Sequence, residues 1–424
     1  MTSPSDRYVV ISADGHAGAP LLGYKDYLEK AWREAFDGWA ASFTDPWADL
    51  EENEIKMGVA SADSTLSWDS ARRQEALESQ GIVGEVLFPN TAPPFFPGGV
   101  FTVGVPQTRS EYECRWAGLR AHNRWLVDFC AEAPGRRAGV GQIFLNDIDD
   151  AVAEIRWMAD AGLTGGVLLP GDAPTALVPL YYPAYDPVWE VCADLGLPVH
   201  RHANLPGDAN TPANGPAGPV VGLIESNFFA HRGLAHMIFA GVFERFPQLR
   251  FVLTESGAGW APGYLAKLDG FYEAALVKGS IPDYFAGPAL ARLERRPSEY
   301  FAASCYLGAS FLVASEVAMR DQIGVGKIMW GADLPHLEGT YPYSREAIRS
   351  ALAGVPPDEV RMILGGTAAA VYSFDEEALG KVAQVVGPTV AEVATPLLDP
   401  PSFPDETVTP PLAPMGLPGR GSPE

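Results

Sequence analysis

Short β-rich runs alternate with stretches of helical periodicity along most of the chain. The runs fall at residues 8–13, 84–88, 138–145, 165–169, 197–203, 250–254, 300–304 and 327–330, and amphipathic stretches such as 150–161 and 233–246 lie between them. Eight strands, each followed by a helix or by a long loop and a helix, predict an α/β fold, a (β/α)8 TIM barrel closed by parallel strands. A doubly wound open sheet is the rival, and it ordinarily uses fewer strands. The barrel makes a further demand: its functional residues belong just after the strands, at the C-terminal mouth.

Polar residues meet that demand. Asp14 and His16 follow the first run, His200 and His202 end the fifth, Glu255 ends the sixth, and Asp333 and His336 follow the eighth. Four of the seven histidines thus sit at strand ends, which random placement would rarely give; the others are His122, His231 and His236.

The spacing of Asp14 and His16 points both side chains to one side of a strand, here the barrel interior, where they can share an ion. A capped turn with a surface histidine is the other reading. His200 and His202 have the same geometry, and His200 also reads as a core histidine bonded to a backbone carbonyl. Glu255 precedes Ser256, Gly257 and Ala258, small residues that let the backbone turn beside whatever Glu255 contacts. Pairing with an arginine would equally explain its position. Asp333, between Gly331 and Pro335, reads as a metal ligand or general base, or as a helix N-cap. His336 reads as a partner that fixes Asp333 or a bound water, or else as a residue that completes a second metal site, and His231 as a substrate contact or a surface cap. Arg201, between two inward histidines, points away from them into an ion pair.

Two long segments shape the mouth. Residues 17–80 exceed a simple crossover and, with Trp32, Trp39, Trp47 and Trp68, read as a lid or subdomain. The apolar loop Pro93 to Gly99 directly follows the second strand, so Phe95 and Phe96 line a hydrophobic substrate pocket, or else pack as a loop or an oligomer contact. The barrel occupies residues 1–387. Residues 388–424 form a proline-rich arm that wraps the barrel or a neighbouring subunit of a homo-oligomer, or stays disordered.

Composition narrows the function classes. A formal charge of −23, from 53 acidic and 30 basic residues, argues against nucleic acid or an anionic membrane as partner. The N-terminus lacks a basic region and an apolar signal core, and no uninterrupted apolar run approaches a membrane span, so a soluble cytoplasmic protein is expected. Cys114, Cys130, Cys192 and Cys305 lack Cys-x-x-Cys spacing and read as reduced thiols.

The segments "VVISADGHAG", "GLPVHRHA", "FAGVFERFPQLRFVLTESGAGWAP", "KIMWGADLPH" and "MILGGTAAAVYSF" together resemble the metal-dependent amidohydrolase superfamily. The likeness is to its branch of aminocarboxymuconate semialdehyde decarboxylase-like barrels. By position, the resemblance implies that Asp14, His16, His202 and Asp333 hold a catalytic divalent metal, with Glu255 where the family places a histidine after strand six. Catalysis is then expected from Asp333, His336 and Glu255, and substrate contact from Phe95, Phe96, His200 and His231.

Two imidazoles with three carboxylates make a harder ligand set than zinc usually takes, which favours iron, with zinc or manganese as alternatives. Charge balance adds an expectation of two ions, since one leaves the cluster negative and two are neutralised by a bridging hydroxide. The sequence is also similar to the superfamily's non-haem di-iron monooxygenase offshoot of platensimycin and platencin biosynthesis. That resemblance implies O2-dependent hydroxylation of a hydrophobic small molecule such as a terpenoid or its acyl derivative. The alternative is a mononuclear metal-dependent hydrolase or non-oxidative decarboxylase.

Overall fold

A computed structural model describes residues 6–44, 62–98, 103–172, 176–203, 218–310, 312–336 and 339–397. Eight parallel strands follow one another in space in the order of the chain: β1 (Ile11–Ala17), β2 (Gly84–Pro89), β3 (Arg137–Gln142), β4 (Gly166–Leu168), β5 (Val199–His202), β6 (Phe251–Thr254), β7 (Cys305–Ser310) and β8 (Ile328–Gly331). The ring closes where the segment after β8 meets β1, through the bridge Gly15–Leu334 and the hydrogen bond from His16 N to Leu334 O at 2.7 Å. The fold is a (β/α)8 barrel.

Helix starts follow side-chain chemistry. Asp69, Thr108, Asp147 and Asp375 each accept from backbone amides in the first turn of the helices Ser70–Ser79, Arg109–Ala131, Ile148–Asp160 and Glu376–Val386. The first three of these helices bury one face on the outside of the strands, while Leu379 and Ala383 of the fourth pack with the interior cluster. Inside, Ile11, Ala13, Val86, Phe88, Ala138, Val140, Leu168, Val252 and Met329 fill the barrel. Ala368, Ala369 and Tyr372 join this cluster, and Arg250, just before β6, donates to the carbonyls of Ala370 and Val371. The helix Thr367–Tyr372 therefore plugs the end opposite the mouth.

β1 carries an irregularity that matters for the site. Its register with β2 advances by three residues, from Ser12 to Gly15, while β2 advances by two, from Glu85 to Leu87. Ala13 and Asp14 thus oppose one residue, Val86, as a β-bulge. Ile11 and Ala13 face inward, Gly15 points outward toward Arg73 and Glu85, and Asp14 and His16 face the mouth. The bulge changes which alternate residues face inward.

Several expectations are corrected. β1 runs on to Ala17, so Asp14 and His16 lie within the strand. The run at 300–304 belongs to the helix Pro297–Ser304, with Pro297 in its first turn and Glu299 accepting from Arg296 N at 2.7 Å; the strand follows it. The helical stretch expected at 233–246 is the C-terminal part of Gly218–Phe239 and a short helix, Val242–Arg245, separated by Gly241 at φ +67°. The arm's first residues form the helix Val390–Ala394, and Val390 N donates to Asp6 O at 2.8 Å. Trp47 and the arm beyond residue 397 lie outside the described residues. The four cysteines are unpaired, and among the described residues no helix is long and apolar enough to cross a membrane.

Candidate metal centre

The five residues expected as ligands converge at the mouth. Asp14 Oδ1 lies 3.3 Å from His16 Nε2 and 3.4 Å from His202 Nε2, and His16 Nε2 lies 3.0 Å from Asp333 Oδ1. Glu255 Oε2 sits 3.2 Å from His202 Nδ1, the nitrogen turned away from Asp14. His336 Nδ1 lies 3.0 Å from the same Asp333 Oδ1, with its ring 4.0 Å from that of His16 between centres. Asp14, His16 and Asp333 are completely buried.

The tautomers follow from the partners. His16 Nδ1 donates to Pro89 O at 3.0 Å, so neutral His16 turns a lone pair at Nε2 toward two carboxylates. His202 Nδ1 faces Ala203 O at 2.9 Å, which likewise leaves Nε2 toward Asp14. Asn90 Nδ2 donates to Ser67 Oγ at 2.7 Å, fixing its amide so that Oδ1 accepts from His336 Nε2 at 3.1 Å. The His336 lone pair then faces Asp333. Among the described residues, neither oxygen of Asp333, nor Nδ1 of His336, has a hydrogen-bonding partner although all are buried.

Lone pairs of nitrogen and carboxylate oxygen held this close repel unless a positive charge lies among them. Ligands about 2.1 Å from one ion sit about 3.0 Å apart at right angles and about 3.4 Å apart in a tetrahedron. The spacings of Asp14 to His16 and His202, and of His16 to Asp333, fall in that range. Candidate ligand atoms lie within 4.8 Å of one another in two groups that share His16, one of Asp14, His16, His202 and Glu255 and one of His16, Asp333 and His336, and this donor set fits a divalent cation. The titration shifts follow the same field. Burial alone would push the Asp14 carboxyl up, but His202 and His16 outweigh it and hold it well below the carboxylate range. Burial would lower His16, yet Asp14 and Asp333 raise it well above an ordinary imidazole. Asp333 is held low against burial by His336 and His16.

Glu255 and Asp333 both adopt left-handed backbone, at φ +53° and +55°, which few side chains other than glycine or asparagine enter without strain. Contacts around the β6 loop hold Glu255 there. Glu316 Oε1 accepts from Ala258 N and Gly259 N at 2.8 and 2.9 Å, and Trp260 stacks on His231 at 3.7 Å between ring centres.

The residues expected to touch substrate are placed elsewhere or at the margin. His200 lies deeper, donating from Nε2 to Gly165 O at 2.8 Å and stacking on Tyr372, and burial pushes it down to about 3. His231 lies inside the helix Gly218–Phe239 against the β6 loop, with burial pushing it to about 4. Phe95 packs on Trp32, Phe36 and Trp39 of the long insertion. Phe96 lines a cavity at the mouth with Arg115, Gln142, Phe144, Leu168 and Leu169. Arg201 points out, paired with Asp172.

Sequence reasoning missed Ser310, whose Oγ donates to Asp14 Oδ2, because β7 was placed too early. It missed Asn90, although a polar residue immediately after β2 carried the same signal as the others. It also missed Phe88, whose ring lies 4.8 Å from that of His202, and Arg73, which has no local signature.

A parallel-strand barrel with buried histidines and carboxylates gathered at its mouth defines a metal-dependent barrel enzyme. The chain belongs to the amidohydrolase family, whose model matches residues 88–374. It is 29% identical over 229 residues to the gamma-resorcylate decarboxylase of Rhodococcus jostii, a stretch covering 51% of this chain and 65% of that relative. Among solved structures, the 5-carboxyvanillate decarboxylase of Sphingomonas paucimobilis superposes with a TM-score of 0.63 at 21% identity, over 87% of this chain and all of that one. A dihydroxybenzoic acid decarboxylase from a Polaromonas species, crystallised with manganese and 2-nitroresorcinol, superposes with a TM-score of 0.56 at 19% identity, covering 86% and 97%.

These relatives overturn the expected O2-dependent di-iron monooxygenase, since the relative and the two solved neighbours named above are decarboxylases and the metal in the Polaromonas structure is manganese. The geometry gives the physical reason. The two groups of candidate ligands share His16, whose Nε2 is one lone pair and whose Nδ1 is engaged with Pro89, so they are not two independent ion sites.

Proposed function

We propose that the protein is a mononuclear divalent-metal decarboxylase acting on hydroxylated aromatic carboxylates. Asp14, His16, His202 and Asp333 hold the ion, and Glu255 orients His202 from behind. The observation that carries this reading is the position of Asp333, a fully buried carboxylate whose Oδ1 lies 3.0 Å from both the ligand nitrogen of His16 and Nδ1 of His336. One group thus touches both the ion site and a route for protons. The relatives named for gamma-resorcylate, 5-carboxyvanillate and dihydroxybenzoic acid support the substrate class. Manganese suits the carboxylate-rich donor set.

When bound, a divalent ion supplies Lewis acidity that draws the substrate's carboxylate and phenolic oxygens to the cluster and offsets their charge. Asp333, ionised in the free site, takes a proton by way of His336 once substrate is bound, and its Oδ2, the oxygen outside the 3.0 Å contacts, delivers that proton to the ring carbon that bears the carboxylate. The ring–carboxyl bond then breaks, its electron pair returns to the ring, and CO2 leaves. His336, with a side chain 18% exposed against 0% for Asp333, restores the proton from the solvent side while Asn90 fixes its ring. Phe88 and the buried strand ends keep water from the reacting carbon.

The test is CO2 release from carboxyl-labelled 2,6-dihydroxybenzoate and 5-carboxyvanillate by manganese-loaded protein under argon and under air. Equal release in both atmospheres, with one deuterium placed on the ring carbon in D2O, is the expected result. Amide or ester hydrolysis by the same protein, without CO2 release from either acid, would overturn it.

A further inference from the structure

We propose that Arg73, on the helix Ser70–Ser79 of the long insertion, is a positioning residue that sets the separation of His16 and Asp333 by clamping the seam between β1 and the segment after β8. The proposal rests on the metal-site reading above and concerns how the chain builds that site.

The seam is the weak line of the barrel. β8 has no regular ladder to β1; the two are joined by Ala332 N to Ser12 Oγ at 2.9 Å, Asp333 N to Asp14 O at 2.8 Å and His16 N to Leu334 O at 2.7 Å. Three of the four ligand-bearing positions hang on these few bonds. Arg73 lies directly behind them, with no exposed surface.

Every N–H of its guanidinium has an acceptor. Nη1 donates to His16 O and to Leu66 O, each at 2.8 Å. Nη2 donates to Leu334 O at 3.3 Å and to Glu85 Oε2 at 2.8 Å, and Nε donates to Glu85 at 3.0 Å. One rigid fork therefore ties the strand carrying His16, the loop carrying Asp333, the insertion and β2. A lysine, with a single compact ammonium, cannot span these acceptors together.

The charge is balanced locally. Glu85 is also met by Arg137 Nε at 3.2 Å, and Arg137 in turn donates to Ser70 Oγ and Phe129 O without touching His16 or Leu334. Burial would raise the Glu85 carboxyl, but Arg73 and Arg137 outweigh it and keep it ionised. The triad gives a control within itself: both arginines stabilise Glu85, and only Arg73 touches the seam.

The experiment measures Mn2+ affinity by electron paramagnetic resonance of free ion, together with the spectrum of bound ion, at a temperature where each variant is folded. Arg73→Lys is expected to weaken Mn2+ binding by about 10-fold or more and to broaden the bound spectrum. Arg137→Lys, which loosens the same triad, should shift affinity by less than about 3-fold even where its melting temperature falls as far. If Arg73→Lys does not fold, the neutralised pair Arg73→Gln with Glu85→Gln takes its place, with the same expected loss. Wild-type affinity in the Arg73 variants, or an equal loss in Arg137→Lys, would overturn the proposal. Failure of the wild type itself to bind Mn2+ would overturn the metal-site reading on which it rests.

Discussion

The amide of Asp333 donates to the carbonyl of Asp14 at 2.8 Å, so the two carboxylates that flank His16 are tied by a backbone hydrogen bond across the seam between the first strand and the segment after the last. Gly331 lies just upstream, and a Cβ there would sit 2.8 Å from Asp14 Cβ and 3.0 Å from Ser310 Oγ. Gly331→Ala therefore pushes Asp14 off both His202 and its serine. Overpacking of this kind costs about 1–3 kcal/mol. Manganese affinity should fall roughly 10-fold, as when an outer partner of a ligand is lost. Metal titration and a thermal melt of the variant check both numbers.

Protons and metal compete for His16. Its folded pKa is raised above 6.5, against burial, by Asp14 and Asp333. In metal-free protein the protonated imidazole contributes stability that is fully present below 6.5 and is lost as pH rises through the raised folded value. Metal takes only the deprotonated nitrogen, so its apparent affinity rises over the same interval and binding releases a proton. Melts with and without Mn2+ should diverge as pH increases, and a gap that narrows on the alkaline side would contradict this assignment.

Glu255 combines left-handed backbone with a place among other carboxylates, and such backbone strain is worth about 1–3 kcal/mol. Asparagine enters that region more readily and carries no charge. Glu255→Asn is expected to raise the stability of metal-free protein by about 1 kcal/mol while reducing both the stabilisation by Mn2+ and turnover. Differential scanning calorimetry of the two forms reads the trade directly.

The barrel was legible because strand and helix periods alternate along the chain, and Asp14, His16, His202, Glu255 and Asp333 were legible because polar residues at strand ends are conspicuous against apolar runs. The bulge at Ala13 and Asp14 was not, since its only sign is a register that exists once β1 meets β2. Ser310 was lost when Tyr300 and Phe301 were read as strand rather than as the buried face of a proline-started helix. Arg73 was invisible for a different reason: a charged residue on an amphipathic helix reads as solvated until tertiary structure brings acceptors to each of its donors. The di-iron expectation came from counting carboxylates without knowing that His16 has a single nitrogen to give and that Glu255 faces the back of His202.

His200 separates a structural histidine from a catalytic one by its pH signature. Burial pushes it down to about 3, so it stays neutral in the folded protein while its unfolded counterpart titrates near 6.5. A depressed folded pKa contributes stability that is present above 6.5 and is lost as pH falls below it, by up to ~1.4 kcal/mol per pH unit. His200→Phe keeps the ring between Phe88 and Tyr372 but leaves the Gly165 carbonyl without its donor. At neutral pH the variant should lose about 1–3 kcal/mol. Between pH 6.5 and about 4 its stability should decline less steeply than that of the wild type, by about 1 kcal/mol per pH unit. Because the ring lies below the ligand cluster, Mn2+ affinity at neutral pH is expected to stay within about 3-fold of the wild type. Urea denaturation across this pH range measures the slope, and an unchanged slope would show that His200 is already protonated in the folded barrel.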